Sequence, residues 1–210
     1  MKLLTIFCIA AAAVSAEPII QVELVNAGNP LVVAPSVTIN GNTVSDVAIG
    51  PYTMLMNGKD VPALCIDFVD DSSLNTPWNA YVTPVGSSDL SDTYHPTFGQ
   101  EYEEATYLYS QILQPGSDRT GLQVAAWDIM TYGITDSSYT SLIGDNSYID
   151  AALDNYNTMD FTGYEILSDT TAHGQQEFLV ATPEPGSLLL LGAGLIAAGV
   201  WGRRRRAARA

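Results

Sequence analysis

An apolar run from Ser187 to Gly202 ends directly on four arginines, Arg203, Arg204, Arg205 and Arg206. This one feature takes residues 183–210 out of any folded core. A run of that length sits near the lower limit of about 17 residues for a helix that spans a bilayer, and consecutive arginines hold its far end on the cytoplasmic side. Glycines at 192, 194 and 199 lower its hydrophobicity, so it reads as a processing signal as much as a permanent anchor. At the other end, Lys2 precedes an apolar stretch from Leu3 to Val14, followed by Val14-Ser15-Ala16. That order of charge, apolar run and small residues predicts a signal peptide over 1–16, read by the Sec translocon and cut by signal peptidase before Glu17. Cys8 lies inside the stretch that is removed. What remains to fold is 17–182, enough for one domain of ordinary size and too short for two.

Charge divides the chain in the same way. The chain has 23 acidic and eight basic residues. Between 17 and 182 lie all the acidic residues except Glu184, so 22, against only Lys59 and Arg119, a formal charge of −20. A phosphate backbone is bound by exchanging its counterions for Lys and Arg, so nucleic acid is excluded as a partner. The bland consequence of such charge is solubility and repulsion from anionic surfaces.

Within 17–182 the hydrophobic period changes twice. Ile19–Val25, Leu31–Ala34 and Ser36–Asn40 are β-branched runs separated by Asn, Gly and Pro, and Tyr52–Met56, Ala63–Val69 and Asn79–Pro84 continue the pattern; these are expected strands. After Pro96 the period becomes helical. Ala105, Leu108, Tyr109 and Ile112 form one set, Leu122, Ala125, Ala126, Ile129 and Met130 a second, with Pro115-Gly116 between them, and Ile149, Leu153 and Tyr156 a third. Strand-like runs return at Tyr164–Leu167 and Glu177–Ala181. The expected fold class is α+β: strands first, a central helical insertion, then closing strands. The polar stretch from Gly86 to Thr97 is expected to be an exposed loop.

The C-terminal signal has a family resemblance. Pro183-Glu184-Pro185, the apolar run and the Arg cluster together resemble the PEP-CTERM sorting domain. The resemblance implies recognition by an exosortase-type membrane protease, transient membrane anchoring through the C-terminal helix, and delivery to the cell surface or extracellular matrix. Proteins with this signal are associated with extracellular polysaccharide and biofilm. The logic of a short polar motif, an apolar tail and a charged stop is shared by other C-terminal sorting signals.

One cysteine, Cys65, remains after signal-peptide removal, so it has no intramolecular disulfide partner. In Ala63-Leu64-Cys65-Ile66-Asp67-Phe68, strand alternation places Leu64, Ile66 and Phe68 on one face and Cys65 with Asp67 on the other. Downstream, Gln123 and Trp127 lie one helical turn apart on one face. A Leu-Cys-Ile-Asp segment followed by Gln-x-x-apolar-Trp resembles the paired motifs of the thioester domains of bacterial surface adhesins, although Leu122 stands where many such domains have Thr. The resemblance implies that the Cys65 thiol attacks the Gln123 side-chain amide, ammonia leaves, and an internal thioester remains, with Trp127 packed over it and Asp67 beside it. A thioester shielded from water is a stored electrophile that acylates an amine or hydroxyl reaching it. The competing reading makes Cys65 a small buried hydrophobe and Gln123 a hydrogen-bonding helix residue.

Other chemistries find little footing. His95 and His173, the two histidines, have no Cys or His at ligand spacing. Asp67, Asp70 and Asp71 lack the calcium-loop pattern. No Gly-x-Ser-x-Gly elbow or phosphate-binding loop occurs. No metal, cofactor or catalytic dyad is expected, and an enzyme ranks below two other possibilities. These are a covalent binder of surface amines, hydroxyls or matrix polysaccharide, and a non-covalent structural surface protein with an inert Cys65.

Overall fold

The computed structural model describes residues 18–28, 30–39, 41–133, 147–171 and 173–182. The expected signal peptide, the Pro183-Glu184-Pro185 motif, the apolar run and Arg203–Arg206 lie outside the described residues. Among those described, no helix is long and apolar enough to cross a membrane.

The domain is α+β. Its elements run β1 (Ile19–Asn26), β2 (Val32–Ile39), β3 (Asn42–Ile49), β4 (Tyr52–Met56), β5 (Lys59–Cys65), β6 (Pro77–Pro84), α1 (Gly99–Ile112), α2 (Arg119–Tyr132), α3 (Ser147–Asn155), a 3-10 turn (Tyr156–Thr158), β7 (Tyr164–Asp169) and β8 (Phe178–Ala181). Six strands close an antiparallel barrel in the order β1-β4-β5-β8-β7-β6, and β2-β3 form a separate two-stranded sheet. The closing strands therefore do more than follow the helices. They fill the gap between β5 and β6, so the sheet has no free edge.

Alternation sorts the side chains. On β5, Val61, Ala63 and Cys65 belong to the barrel cluster with Val22, Met54, Trp78, Phe178 and Val180, while Leu64, and Ile66 just beyond the strand, join a second cluster under the helices. Strand β8 is apolar throughout and buried along most of its length, as are the last residues of β5, Ala63–Cys65, because the barrel lies on one side of them and the helices on the other. Helix α2 serves both clusters: Val124 and Trp127 face the barrel and β2-β3, while Leu122, Ala125, Ala126, Ile129 and Met130 face the helical layer. Its ends are set locally. The Asp118 carboxylate accepts from Gly121 N at 3.1 Å, and Gly133 closes the helix at φ 61° in the left-handed region.

Several boundaries differ from the sequence expectation. The runs 31–34 and 36–40 form one strand, β2, through Pro35; a proline is tolerated because β2 pairs on one side only. Strand β3 was not expected, since its Asn, Ser and Asp disfavour strands in isolation; pairing with β2 overrides that propensity. Strand β5 starts at Lys59 because Asn57-Gly58 makes a two-residue hairpin, with φ of 51° and 73° and Met56 opposite Lys59. The Gly86–Thr97 segment is a loop, but Leu90 and Thr93 within it are buried.

Candidate thioester site

The four residues singled out around Cys65 come together where β5 ends. Cys65 is the last residue of β5, fully buried, opposite Phe178 of β8. Gln123, also fully buried, reaches it from the first turns of α2: its Nε2 donates to the Cys65 carbonyl at 2.6 Å, and its Oε1 accepts from Gly50 N at 3.3 Å. Trp127, one turn further along α2, lies in the same cluster. The strand and the helix supply one partner each, 58 residues apart in sequence.

The expectation for Phe68 needs correcting. It does not share a face with Leu64 and Ile66, because β5 stops at Cys65 and the chain turns. Phe68 packs instead on Trp127, ring centroids 5.1 Å apart and tilted by 56°. Asp67 does not simply share the Cys65 face either. The turn brings its backbone carbonyl to the Cys65 thiol, whose Sγ–H donates to it at 2.9 Å. The Asp67 carboxylate folds back on the turn, with Oδ1 accepting from Val69 N at 2.8 Å and Asp70 N at 3.3 Å. Its Oδ2 is buried without a hydrogen-bond partner among the described residues.

Electrostatics follow from this burial. The Cys65 thiol is pushed well above its ordinary range, chiefly by burial and then by the Asp67 charge; the Trp127 indole and the Asp67 carbonyl oppose the rise. The thiol is protonated at neutral pH, and any nucleophilic step must remove that proton. Asp67 is pushed up to about 6, first by burial, with the Asp70 carboxylate adding to the rise.

Two residues that sequence reasoning passed over shape the site. Gly50 sits where a Cβ would come within 2.9 Å of Gln123 Oε1 and 3.2 Å of the Tyr52 ring. Arg119 donates from Nε to Gly50 O at 2.5 Å, from Nη1 to Pro30 O at 3.0 Å and from Nη2 to Ile49 O at 3.1 Å. It thereby ties the end of β3 to the start of α2. Its being the one Arg of the acidic core was the available signal.

The fold also assembles groups that spacing had kept apart. His173 Nδ1 lies 2.9 Å from Asp70 Oδ2, and with Asp67 the three side chains offer atoms within 4.8 Å of one another. These are the described residues best placed to hold a cation. Behind them Glu177, fully buried, accepts from Ser168 Oγ at 2.5 Å, Tyr94 N at 2.9 Å and Tyr102 Oη at 2.7 Å. This network pins the 86–97 loop and α1 to β7 and β8.

The last described residue, Thr182, is itself held: its N donates to Gly163 O at 2.7 Å. No curated protein and no solved structure matches the chain. The family model for the PEP-CTERM protein-sorting motif matches residues 181–206, beginning on the final residue of β8. A sorting signal of this kind implies export, processing by an exosortase, membrane anchoring and a place at the cell surface.

Proposed function

We propose that this surface-sorted domain is a covalent binder that attaches to external amines or hydroxyls, matrix polysaccharide among them, through an internal thioester between Cys65 and Gln123. The observation that carries the reading is the Gln123 amide held against Cys65 itself, both side chains fully buried, by a 2.6 Å bond to the Cys65 carbonyl. Bond formation is balanced within the chain. Sγ attacks the Gln123 carbonyl carbon, the carbon–nitrogen bond breaks, and the thiol proton leaves with the nitrogen as ammonia. Burial then protects the product: the Cys65 and Gln123 side chains are both fully buried, and Phe68 packs on Trp127 beside them. Each molecule attaches once, so the protein is a binder and not a turnover enzyme.

A second reading has its own observation. Both polar atoms of Gln123 are already engaged by backbone groups, Cys65 O and Gly50 N. A Gln that merely brackets β5 to the end of β3, beside an inert thiol, fits a non-covalent structural role in the surface layer. Intact mass of the purified exported protein without reductant, with thiol titration on the same sample, decides between them. A mass short by one ammonia with no titratable thiol supports the thioester; full mass with one thiol sinks it.

A further inference from the structure

The Trp127 side chain is fully buried, yet its Nε1–H has no acceptor at hydrogen-bonding geometry among the described residues. An unpaired buried donor is costly, and such groups call for an explanation. Trp127 sits one turn after Gln123, whose amide is on Cys65, and shares the Cys65 cluster. Its indole opposes the rise that burial imposes on the Cys65 thiol. Other donors for a sulfur anion are scarce. The two basic residues of the acidic core are Lys59 and Arg119; Lys59 is exposed at the far end of β5, and Arg119 is committed to three backbone carbonyls.

Resting on the thioester reading, we propose that the Trp127 indole N–H is the donor that stabilises the Cys65 sulfur anion as the bond to Gln123 forms and again as it breaks. In formation, the sulfur becomes anionic as its proton departs toward the leaving nitrogen. In transfer, an external amine attacks the Gln123 carbonyl carbon and a carbon–nitrogen bond forms. The carbon–sulfur bond then breaks, and the sulfur leaves with the electron pair before taking the proton released by the amine. A preorganised donor in a water-free site acts where charge develops and needs no reorganisation.

Trp127→Phe separates this role from shielding, because the two predict opposite signs. If Trp127 only covers the bond, truncation admits the nucleophile and the reaction with methylamine accelerates. If it donates, Trp127→Phe reacts roughly 10- to 100-fold more slowly, the scale of a hydrogen bond to a charged group, and its pH–rate profile moves to higher pH. An equal or faster rate overturns the inference while leaving the thioester intact; a wild-type protein of full mass overturns both. Should Trp127→Phe not fold, the assigned indole proton signals of the wild-type protein and Cys65→Ala serve instead. The Trp127 signal is expected to shift on loss of the sulfur while that of Trp78, also buried and unpartnered, stays in place. An unmoved Trp127 signal overturns the inference.

Discussion

Gln123 and Cys65 are joined by a 2.6 Å hydrogen bond from the side-chain amide of one to the backbone carbonyl of the other, inside a site closed to water. The same amide accepts from Gly50 N at 3.3 Å, so one side chain from α2 holds the ends of two neighbouring segments. Whether or not the bond to sulfur forms, this bracket has consequences for stability.

Gln123→Ala leaves the Cys65 carbonyl and the Gly50 N–H buried without partners. An unsatisfied buried group costs about 1–3 kcal/mol, so the pair predicts a loss of roughly 2–5 kcal/mol. Urea denaturation of the variant against wild type measures it. A change below about 0.5 kcal/mol means the bracket does not hold the fold. Cys65→Ala tests the chemistry instead: it abolishes methylamine adducts, and adducts that persist in it place the electrophile elsewhere.

Gly50→Ala acts on the same amide from the opposite side. The added methyl meets Gln123 Oε1 at 2.9 Å, closer than real Cβ atoms come, and crowds the Tyr52 ring at 3.2 Å. Gln123 must withdraw, so the variant is expected to unfold at lower denaturant and to retain its ammonia. A variant with wild-type mass and midpoint shows that the Gln123 position tolerates the shift.

Arg119→Lys keeps the charge and loses the fork. A guanidinium reaches three carbonyls in one plane, whereas an ammonium on a flexible stem does not. The expected cost is about 1–2 kcal/mol. Hydrogen exchange should show it first as faster opening of the β3 end, Ile49 and Gly50; uniform loss across the domain would contradict a local anchor.

Buried carboxyls set the pH response. Burial pushes Glu177 and Glu104 up from 4.5 to about 7, and Asp67 from 3.8 to about 6. Between these limits the folded chain binds more protons than the unfolded one, so stability falls as pH rises from about 4.5 to 7 and then levels. Urea midpoints should be higher at pH 5 than at pH 8. Glu177→Gln, which keeps an acceptor for Ser168 and Tyr94, should flatten that slope; an undiminished slope assigns it to other groups.

Much of the fold was legible where one local signal dominated. The helices were marked by periodic apolar positions, Leu122 through Met130 above all, and strands β1, β4 and β6 by short β-branched or alternating runs. Strand β3 was not legible, because the pairing that stabilises it lies in β2. Strand β5 ends at Cys65, short of Phe68: Ile66-Asp67-Phe68 continues the alternation in composition while the backbone turns away. Asn57-Gly58 is a readable hairpin signal, and the turn it makes fixes the start of β5 at Lys59.

The sequence by itself determined the routing: the motif over 181–206 acts as a linear signal, read without reference to any fold. It also singled out Cys65, Gln123 and Trp127, because their residue types and spacing are local properties. Only the tertiary structure decided that Gln123 meets Cys65, that His173 meets Asp70 across 103 residues, and that Gly50 and Arg119 belong to the site. Those contacts join segments far apart in sequence, brought together by the packing of the helices and the turn after β5 against the sheet, which no single stretch of the chain encodes.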